Sequence, residues 1–233
     1  MATPRLPTLT ARVWDAWRVR GATYVRHKVL RRALSRWPDW KRRLVYDDPR
    51  QYWTLRGGDD YFREQEGQPG RSARARWIGE RLASYQPSSV LEVGCGYGKQ
   101  LRALRTVLPS SRLVGVDFSP SQLRQGRSYL EGCDDVVLAL ASGDRLPFAD
   151  KSFDLVLTSA VILHNRPEVA ERIRREVLRV ARRWAAHNED TDVSYNRFGY
   201  DTAAWYVARG VDLAEVGPFP EEGPPSQFCV ARL

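Results

Sequence analysis

The sequence predicts an α/β fold in which a seven-stranded, mainly parallel sheet carries helices on both faces, preceded by a helical extension at the N-terminus. Three observations predict it. From residue 89 onward, short apolar runs rich in β-branched residues alternate with longer segments of helical periodicity, the pattern of parallel strands joined by crossover helices. Ahead of that region, tryptophans and basic residues recur at helical spacing. The 233 residues suffice for one α/β domain of ordinary size with something left over.

The elements follow in chain order. Residues 9–37 read as a helix broken near Gly21, because Val13, Trp14, Trp17, Tyr24, Val25, Leu30, Leu34 and Trp37 lie roughly three and four residues apart. Trp37-Pro38-Asp39-Trp40 stops it, since proline disfavours helix at the residue before it. A polar stretch with Gly57, Gly58, Gly67 and Gly70 comes next, and residues 71–85 then read as a helix with Ala73, Trp77, Ile78, Leu82 and Ala83 on its apolar face. Strands are expected at 90–93, 113–116, 136–140 and 155–157, separated by helices at 99–107, 120–130 and 166–183. Later strands fall at 184–187, 213–216 and 228–231, with Pro218, Pro220, Pro224 and Pro225 in the loop before the last. There is no internal repeat. The organisation expected is a basic, Trp-rich arm (1–46), a lid or linker segment (47–70) and the α/β body (71–233).

A hydrophobic fraction of 42% and a charged fraction of 28% are globular usage and argue against disorder, collagen-like repeats and a disulfide mini-scaffold. The net charge of +9, from 37 Lys+Arg against 28 Asp+Glu, is unevenly placed. Residues 1–46 hold twelve Lys/Arg (Arg5 through Arg43) against Asp15 and Asp39, a net +10, so the remaining chain stands at −1. Such an arm suits an acidic partner: an anionic membrane surface, nucleic acid or a charged acceptor. Five of the eight tryptophans lie within residues 1–53. Tryptophan and arginine interleaved suit peripheral attachment to an anionic membrane; the competing reading is a helical cap over the active site. The balanced body makes nucleic acid the weaker expectation. Cys95, Cys133 and Cys229 are too few and too scattered for a disulfide framework or zinc ribbon, which points to reduced thiols and a cytoplasmic protein. No apolar run reaches membrane-span length, and arginines interrupt any signal-peptide-like stretch. An Arg-rich organellar transit peptide is disfavoured by few serines and many tryptophans. The expected location is cytoplasmic, with peripheral contact at the inner face of a membrane as an extension of it.

Three segments carry chemistry. Val90-Leu91-Glu92-Val93-Gly94-Cys95-Gly96-Tyr97-Gly98 runs a buried strand into a turn with glycine at every second position and then a helix, whose first N–H groups have no intrahelical partner. The spacing is not the Gly-x-Gly-x-x-Gly of dinucleotide-binding loops, since the sixth position is Lys99. Leu113-Val114-Gly115-Val116-Asp117-Phe118-Ser119 ends a second strand on an acid about twenty residues later, where a carboxylate can accept from both hydroxyls of a ribose. Asp117 also reads as a helix cap, but Ser119 before Pro120 fits the cap at least as well. The third segment is Gly143-Asp144-Arg145-Leu146-Pro147-Phe148 through Ser152-Phe153-Asp154.

Together and in this order the three segments resemble the Rossmann-like class I S-adenosylmethionine-dependent methyltransferases, in the branch of quinone, sterol and small-metabolite enzymes, over about residues 70–233. The resemblance implies S-adenosylmethionine as cofactor and S-adenosylhomocysteine as product. It implies Gly94, Cys95, Gly96 and Gly98 around the methionine part, with Glu92 holding the loop or approaching the cofactor's amino group through water. Asp117 would bind the ribose, Phe118 would lie against the adenine, Asp144 would accept from the adenine amino group, and Arg145 would offer its backbone beside the ring. Ser159, at the end of the fourth strand, would face the sulfonium and acceptor. His164 in Val161-Ile162-Leu163-His164-Asn165 reads either as a general base or as a structural histidine, and His187 as an alternative base. Arg56 or Arg63 would pair with the methionine carboxylate and Tyr61 would cover the site; a surface segment docked by its aromatics is the other reading. The usual Lys-Pro-Gly-Gly turn before the fifth strand is absent, which implies a shortened connection after the 166–183 helix. His187, Glu189 and Asp192 suggest a metal set, but no second histidine is near, so structural or pocket-lining roles are expected and no metal. Asn188, Tyr195, Asn196, Arg197, Tyr200 and Asp201 form a polar, aromatic stretch suited to a hydroxylated acceptor.

The function expected is methyl transfer to a small molecule, O-directed, on a sugar, lipid-linked glycan or natural-product scaffold. The alternatives are an RNA methyltransferase using the basic arm and a non-catalytic cofactor-binding scaffold. The acceptor atom and the oligomeric state are left open.

Overall fold

A computed structural model describes residues 9–57, 59–133, 135–220 and 222–233. Residues 1–8 of the arm, with Arg5, and Gly58 of the lid segment lie outside the described residues. The chain divides into two compact units, Met1–Leu55 and Arg56–Leu233, a boundary inside the 47–70 segment.

The first unit holds α1 (Leu9–Ala33), α2 (Pro38–Val45) and most of α3 (Pro49–Arg56). Helix α1 kinks at Gly21, whose φ of 81° and ψ of 169° are non-helical, the break the sequence predicts. It stops at Ala33 rather than reaching Trp37. Pro38 starts the next helix instead, with Trp37 outside it at φ −125°, because proline fits the first helical position, where its missing N–H costs nothing. Asp48 accepts the Arg50 and Gln51 N–H groups at 2.9 and 3.1 Å and so caps α3. Tyr46 and Tyr52 are buried and meet edge to face at 4.8 Å, His27 packs on Tyr52 at 5.1 Å, and Trp53 Nε1 donates to the Tyr46 hydroxyl at 3.2 Å.

The second unit opens with α4 (Asp59–Glu66) and α5 (Pro69–Ala83). The polar 47–70 segment is therefore largely helical: Gly57 and Gly67 lie just past the ends of α3 and α4, Gly70 lies in the first turn of α5, and the helices begin at prolines or acids. Then follow β1 (Ser89–Val93), α6 (Lys99–Val107), β2 (Arg112–Asp117), α7 (Pro120–Tyr129), β3 (Val136–Leu140), β4 (Phe153–Ser159), a 3₁₀ turn (Ile162–His164), α8 (Pro167–Val180), β5 (Ala181–Asn188), the short hairpin β6 (Val193–Ser194) and β7 (Arg197–Phe198), α9 (Thr202–Val207), β8 (Leu213–Gly217) and β9 (Phe228–Arg232).

Seven strands form one sheet in the order β3-β2-β1-β4-β5-β9-β8. Neighbours from β3 through β5 run parallel, and β9 lies antiparallel to both β5 and β8. Each central strand alternates its side chains between two cores. Val90, Leu113, Leu155 and Leu157 pack with Ile78 and Leu82 of α5 and Leu101 and Leu104 of α6. Leu91, Val93, Val114, Val116 and Val156 pack on the other face with Ile173 and Val177 of α8 and Tyr206 of α9. Each such fully buried aliphatic side chain contributes about 2 kcal/mol.

Helix α8 ends at Val180 and β5 begins at Ala181, so the predicted 166–183 helix is three residues too long. Arg182 and Arg183 belong to the strand; with no glycine or proline to mark the boundary, the helical pattern runs into it unpunctuated. The shortened connection is real and contains no loop residue. No helix among the described residues is long and apolar enough to cross a membrane.

Candidate active site

Strand order reverses between β1 and β4, and the crevice beyond the carboxyl ends of such strands is where open α/β sheets bind ligands. The register sets a level row there: Val116, Val93, Thr158 and His187 pair across β2, β1, β4 and β5. The next residue of each strand, Asp117, Gly94, Ser159 and Asn188, crowns the row.

The glycine turn is fastened to β2. Gly94 and Cys95 N–H both donate to the Val116 carbonyl at 2.8 and 3.0 Å, and Gly96 N–H donates to Asp117 Oδ2 at 2.9 Å. The other carboxylate oxygen of Asp117 accepts Ser119 N–H at 2.8 Å. Each oxygen thus keeps a lone pair beyond its backbone bond. Burial pushes the Asp117 carboxyl above its ordinary range, and the two N–H groups oppose that. Gly94, Gly96 and Gly98 have φ of 72°, 56° and 86°. A Cβ at Gly94 would also stand 2.5 Å from Val161 Cγ2, so this turn and the β4 exit meet with no room for a side chain.

Glu92, one residue before the row on β1, is buried. Burial and then the nearby Asp117 push its carboxyl well above the usual range, against the Leu101 N–H in the first turn of α6. Its Oε2 is buried with no hydrogen-bond partner among the described residues. Cys95 departs from its expected part. Its sulfur packs against Gly115, where a Cβ would approach within 2.8 Å of it, and belongs to the apolar cluster with Leu101. Only its backbone lines the turn, and burial pushes the thiol far up.

Phe118 follows Asp117 half-buried, and Ser119 caps α7 by accepting Gln122 N–H. Asp144 accepts from the Ser142 hydroxyl at 2.6 Å and from Arg172 Nη2 at 3.0 Å. Burial works against its charge, but those two partners hold the carboxyl below the ordinary range. Arg145 is exposed, and its N–H donates to the Ser142 carbonyl at 3.1 Å. Ser159 Oγ accepts from Asn188 Nδ2 at 2.8 Å.

Helix α4 lies against the glycine turn through Tyr97. Phe62 meets the Tyr97 ring at 4.9 Å, the Tyr97 hydroxyl donates to Glu66 at 2.8 Å, and Lys99 pairs with the same carboxylate at 3.0 Å. Arg56 is buried, pairs with Glu64 and stands 5.1 Å over the Tyr61 ring. Burial raises the Tyr61 pKa, with the charges of Arg71, Arg56, Asp117 and Glu64 all felt at its hydroxyl.

On the β4–β5 side, His164 Nδ1 lies 2.6 Å from the Asn196 carbonyl. A carbonyl only accepts, so Nδ1 carries the proton and Nε2 is the acceptor nitrogen. Burial lowers its pKa to about 4, which keeps the ring neutral. The β6–β7 hairpin that supplies Asn196 is held to the 3₁₀ turn from its other side by the Tyr200 hydroxyl, which donates to the Asn165 carbonyl at 2.8 Å.

His187 corrects the expectation of a second base. It is fully buried with both nitrogens engaged: Nδ1 at 2.8 Å from Thr158 Oγ1 and Nε2 at 2.7 Å from the Tyr206 hydroxyl. Thr158 donates onward to Glu189 Oε1 at 2.8 Å. One chain of donors satisfies all of them: Tyr206 to His187, His187 to Thr158, Thr158 to Glu189. Burial lowers the His187 pKa to about 3. Glu189, fully buried, accepts Val161 N–H at 3.1 Å on both oxygens and Leu163 N–H at 3.2 Å. It fixes the turn that carries His164. The sequence suggested a structural or pocket-lining role for Glu189 without naming its partners; an acid one residue past a buried strand is the signal that could have pointed to the turn it holds. Asp192 of that set pairs with Arg197 at 2.6 Å.

Both histidines are held neutral, so stability is full above about pH 6.5 and is lost as pH falls toward 4 and then 3. Between pH 7 and pH 5 the unfolding free energy should drop by about 2 kcal/mol for each. Urea unfolding at the two pH values checks this, and His187→Gln should remove about half of the difference; equal midpoints at both pH values would sink it.

A family model described as a methyltransferase domain matches residues 90–183. Among curated proteins the chain is similar to an O-methyltransferase of Aspergillus nomiae, 33% identical over 48% of this chain and 49% of that one. It is similar to a malonyl-[acyl-carrier protein] O-methyltransferase of Methylococcus capsulatus, 28% identical over 48% and 42% of the two. A demethylmenaquinone methyltransferase of Roseiflexus is 36% identical over 46% and 44%. The chain thus spans about half the length of the curated relatives it matches. Among solved structures, a Pyrococcus horikoshii protein superposes with a TM-score of 0.63 at 20% identity, over 76% of this chain and 99% of that one. A magnesium protoporphyrin IX methyltransferase from Synechocystis with bound S-adenosylhomocysteine superposes at 0.60 and 14% identity, over 70% and 83%. At such identities these two carry the fold alone.

Proposed function

We propose that this chain, which carries a class I S-adenosylmethionine-dependent methyltransferase domain over residues 90–183, transfers a methyl group to a hydroxyl of a small molecule: a sugar, a lipid-linked glycan or a natural-product scaffold. The observation that carries the reading is the glycine turn clamped to Asp117, with a buried Glu92 oxygen that lacks a partner among the described residues. These residues fit the cofactor. Asp117 has lone pairs for two ribose hydroxyls, and the positive-φ turn leaves backbone where a ligand must come close. Glu92 would accept from the cofactor's ammonium group through water. S-adenosylmethionine supplies, when bound, an electrophilic methyl on a sulfonium that leaves as S-adenosylhomocysteine.

The chain's own part is orientation, exclusion of water and movement of one proton. Asp117 and the turn hold the cofactor end, and α4 with Tyr61 covers it. Arg56, already paired with Glu64, completes that cover rather than offering an uncommitted charge. The 3₁₀ turn and the β6–β7 hairpin wall the acceptor side. His164 Nε2 takes the hydroxyl proton as the oxygen attacks. Two of the relatives named above are O-methyltransferases, and Asn196 and Tyr200 give the hairpin a polar, aromatic character suited to a hydroxylated acceptor.

A base with a pKa of about 4 is always unprotonated near neutrality but weak, so its contribution lies at the low end for general bases. His164→Ala should lower kcat about 100-fold and leave S-adenosylhomocysteine affinity unchanged. An unaltered kcat would remove His164 from the chemistry. The reading as a whole is tested by incubating an extract with isotopically labelled cofactor and identifying labelled products by mass spectrometry. Label in a hydroxylated small molecule supports it. Label in RNA, or tight cofactor binding with no labelled product from any extract, overturns it.

A further inference from the structure

We propose that the arm is a peripheral anchor whose exposed tryptophans enter the interface of an anionic phospholipid bilayer. The inference does not rest on the transfer chemistry.

Helix α2 shows the geometry. Trp37, Trp40 and Leu44 are 56%, 56% and 48% exposed. At 3.6 residues per turn Trp40 and Leu44, four positions apart, fall within about 40° of each other around the helix axis, an apolar stripe with Trp37 at the residue just before the helix. Val45, about 100° round the axis from Leu44, is buried. Basic residues border the stripe on both sides: Arg43, exposed, with its guanidinium 5.9 Å from the Trp40 ring, and Lys41, half-buried. On α1, Trp14 is 60% exposed and stacks with Trp17 at 5.0 Å, with Arg18 beside the pair. Four tryptophans and a leucine left toward water need a cover.

Charge selects the cover. Residues 1–46 carry a net +10, and an anionic leaflet attracts each basic side chain within a Debye length of it. Arginine and lysine keep their charged ends among headgroups while their stems lie along apolar surface. Tryptophan settles at the depth of the headgroups. A stripe in which Leu44 completes the apolar face suits acyl chains. A single-stranded nucleic acid would use the flat ring faces and leave the leucine uncovered.

The test is sedimentation of the full chain with phosphatidylcholine vesicles, with and without about three parts in ten phosphatidylglycerol. Binding should be at least roughly tenfold tighter to the charged vesicles, with tryptophan emission shifted to the blue and quenched by brominated acyl chains. Replacing Trp37, Trp40 and Leu44 together by Ser should weaken it roughly tenfold with an unchanged circular dichroism spectrum. Arg36→Glu with Arg43→Glu should weaken it comparably. No binding to charged vesicles would overturn the proposal. So would binding without quenching that the Ser variant leaves intact. Equal affinity for single-stranded RNA, again untouched by the Ser variant, would make the arm a general polyanion binder and overturn it as well.

Discussion

Asp117→Ala should weaken S-adenosylhomocysteine binding by about 3.5 kcal/mol, roughly 300-fold, measured by titration calorimetry. Two losses combine. The ribose loses an acceptor for both hydroxyls, and the Gly96 and Ser119 N–H groups lose the carboxylate that ties the turn to α7. Asp117→Asn separates them: it keeps one acceptor oxygen for a backbone N–H but offers the ribose a poorer partner, so an intermediate affinity is expected. Binding as tight as in the parent chain would mean that the ribose lies elsewhere and that the cofactor reading of the turn is wrong.

Glu189→Ala should destabilise the fold by about 4 kcal/mol, read as a shift in chemical denaturation with the slope unchanged. The substitution strips an acceptor from Val161 N–H, Leu163 N–H and the Thr158 hydroxyl inside a region closed to water. Arg174, buried nearby and partly sustained by the Glu189 charge, loses that support. Glu189→Gln retains an oxygen for part of this set and should recover a good part of the stability. If Glu189→Ala unfolds at the parent's midpoint, water reaches the turn and the buried network is not what fixes it.

These two acids show what the sequence discloses and what it withholds. The position of Asp117 was legible because three separate signals agree: a strand end, a glycine turn upstream and a better cap beside it in Ser119. The parallel direction of the central strands was legible too, since alternating strands and helices imply crossover connections without any side-chain detail. Glu189 was not, because its partners are backbone groups some twenty-six to twenty-eight residues earlier, and no local pattern records a register between β4 and β5. His187 misled for a related reason. A histidine beside an acid near a strand end resembles a reacting pair until Tyr206, nineteen residues away, is seen to occupy its second nitrogen. The helices of the 47–70 segment were hidden by Gly57 and Gly67, which lie just past the ends of short helices.

The junction at Val180 and Ala181 acts as a phase setter. With no loop between α8 and β5, the helix end and the irregular pairing at Ala181–Trp184 together decide which side of the sheet each later strand residue faces. That choice puts His187 in the donor chain and Asn188 on the crown beside Ser159. Between Phe153 and Leu155 of β4 the start of β5 already holds one extra residue, since Ala181 pairs with Phe153 and Trp184 with Leu155; without that irregularity His187 and Asn188 would trade faces. The helix–strand junction, at the opposite end of β5, thereby helps decide which side chains stand at the strand ends.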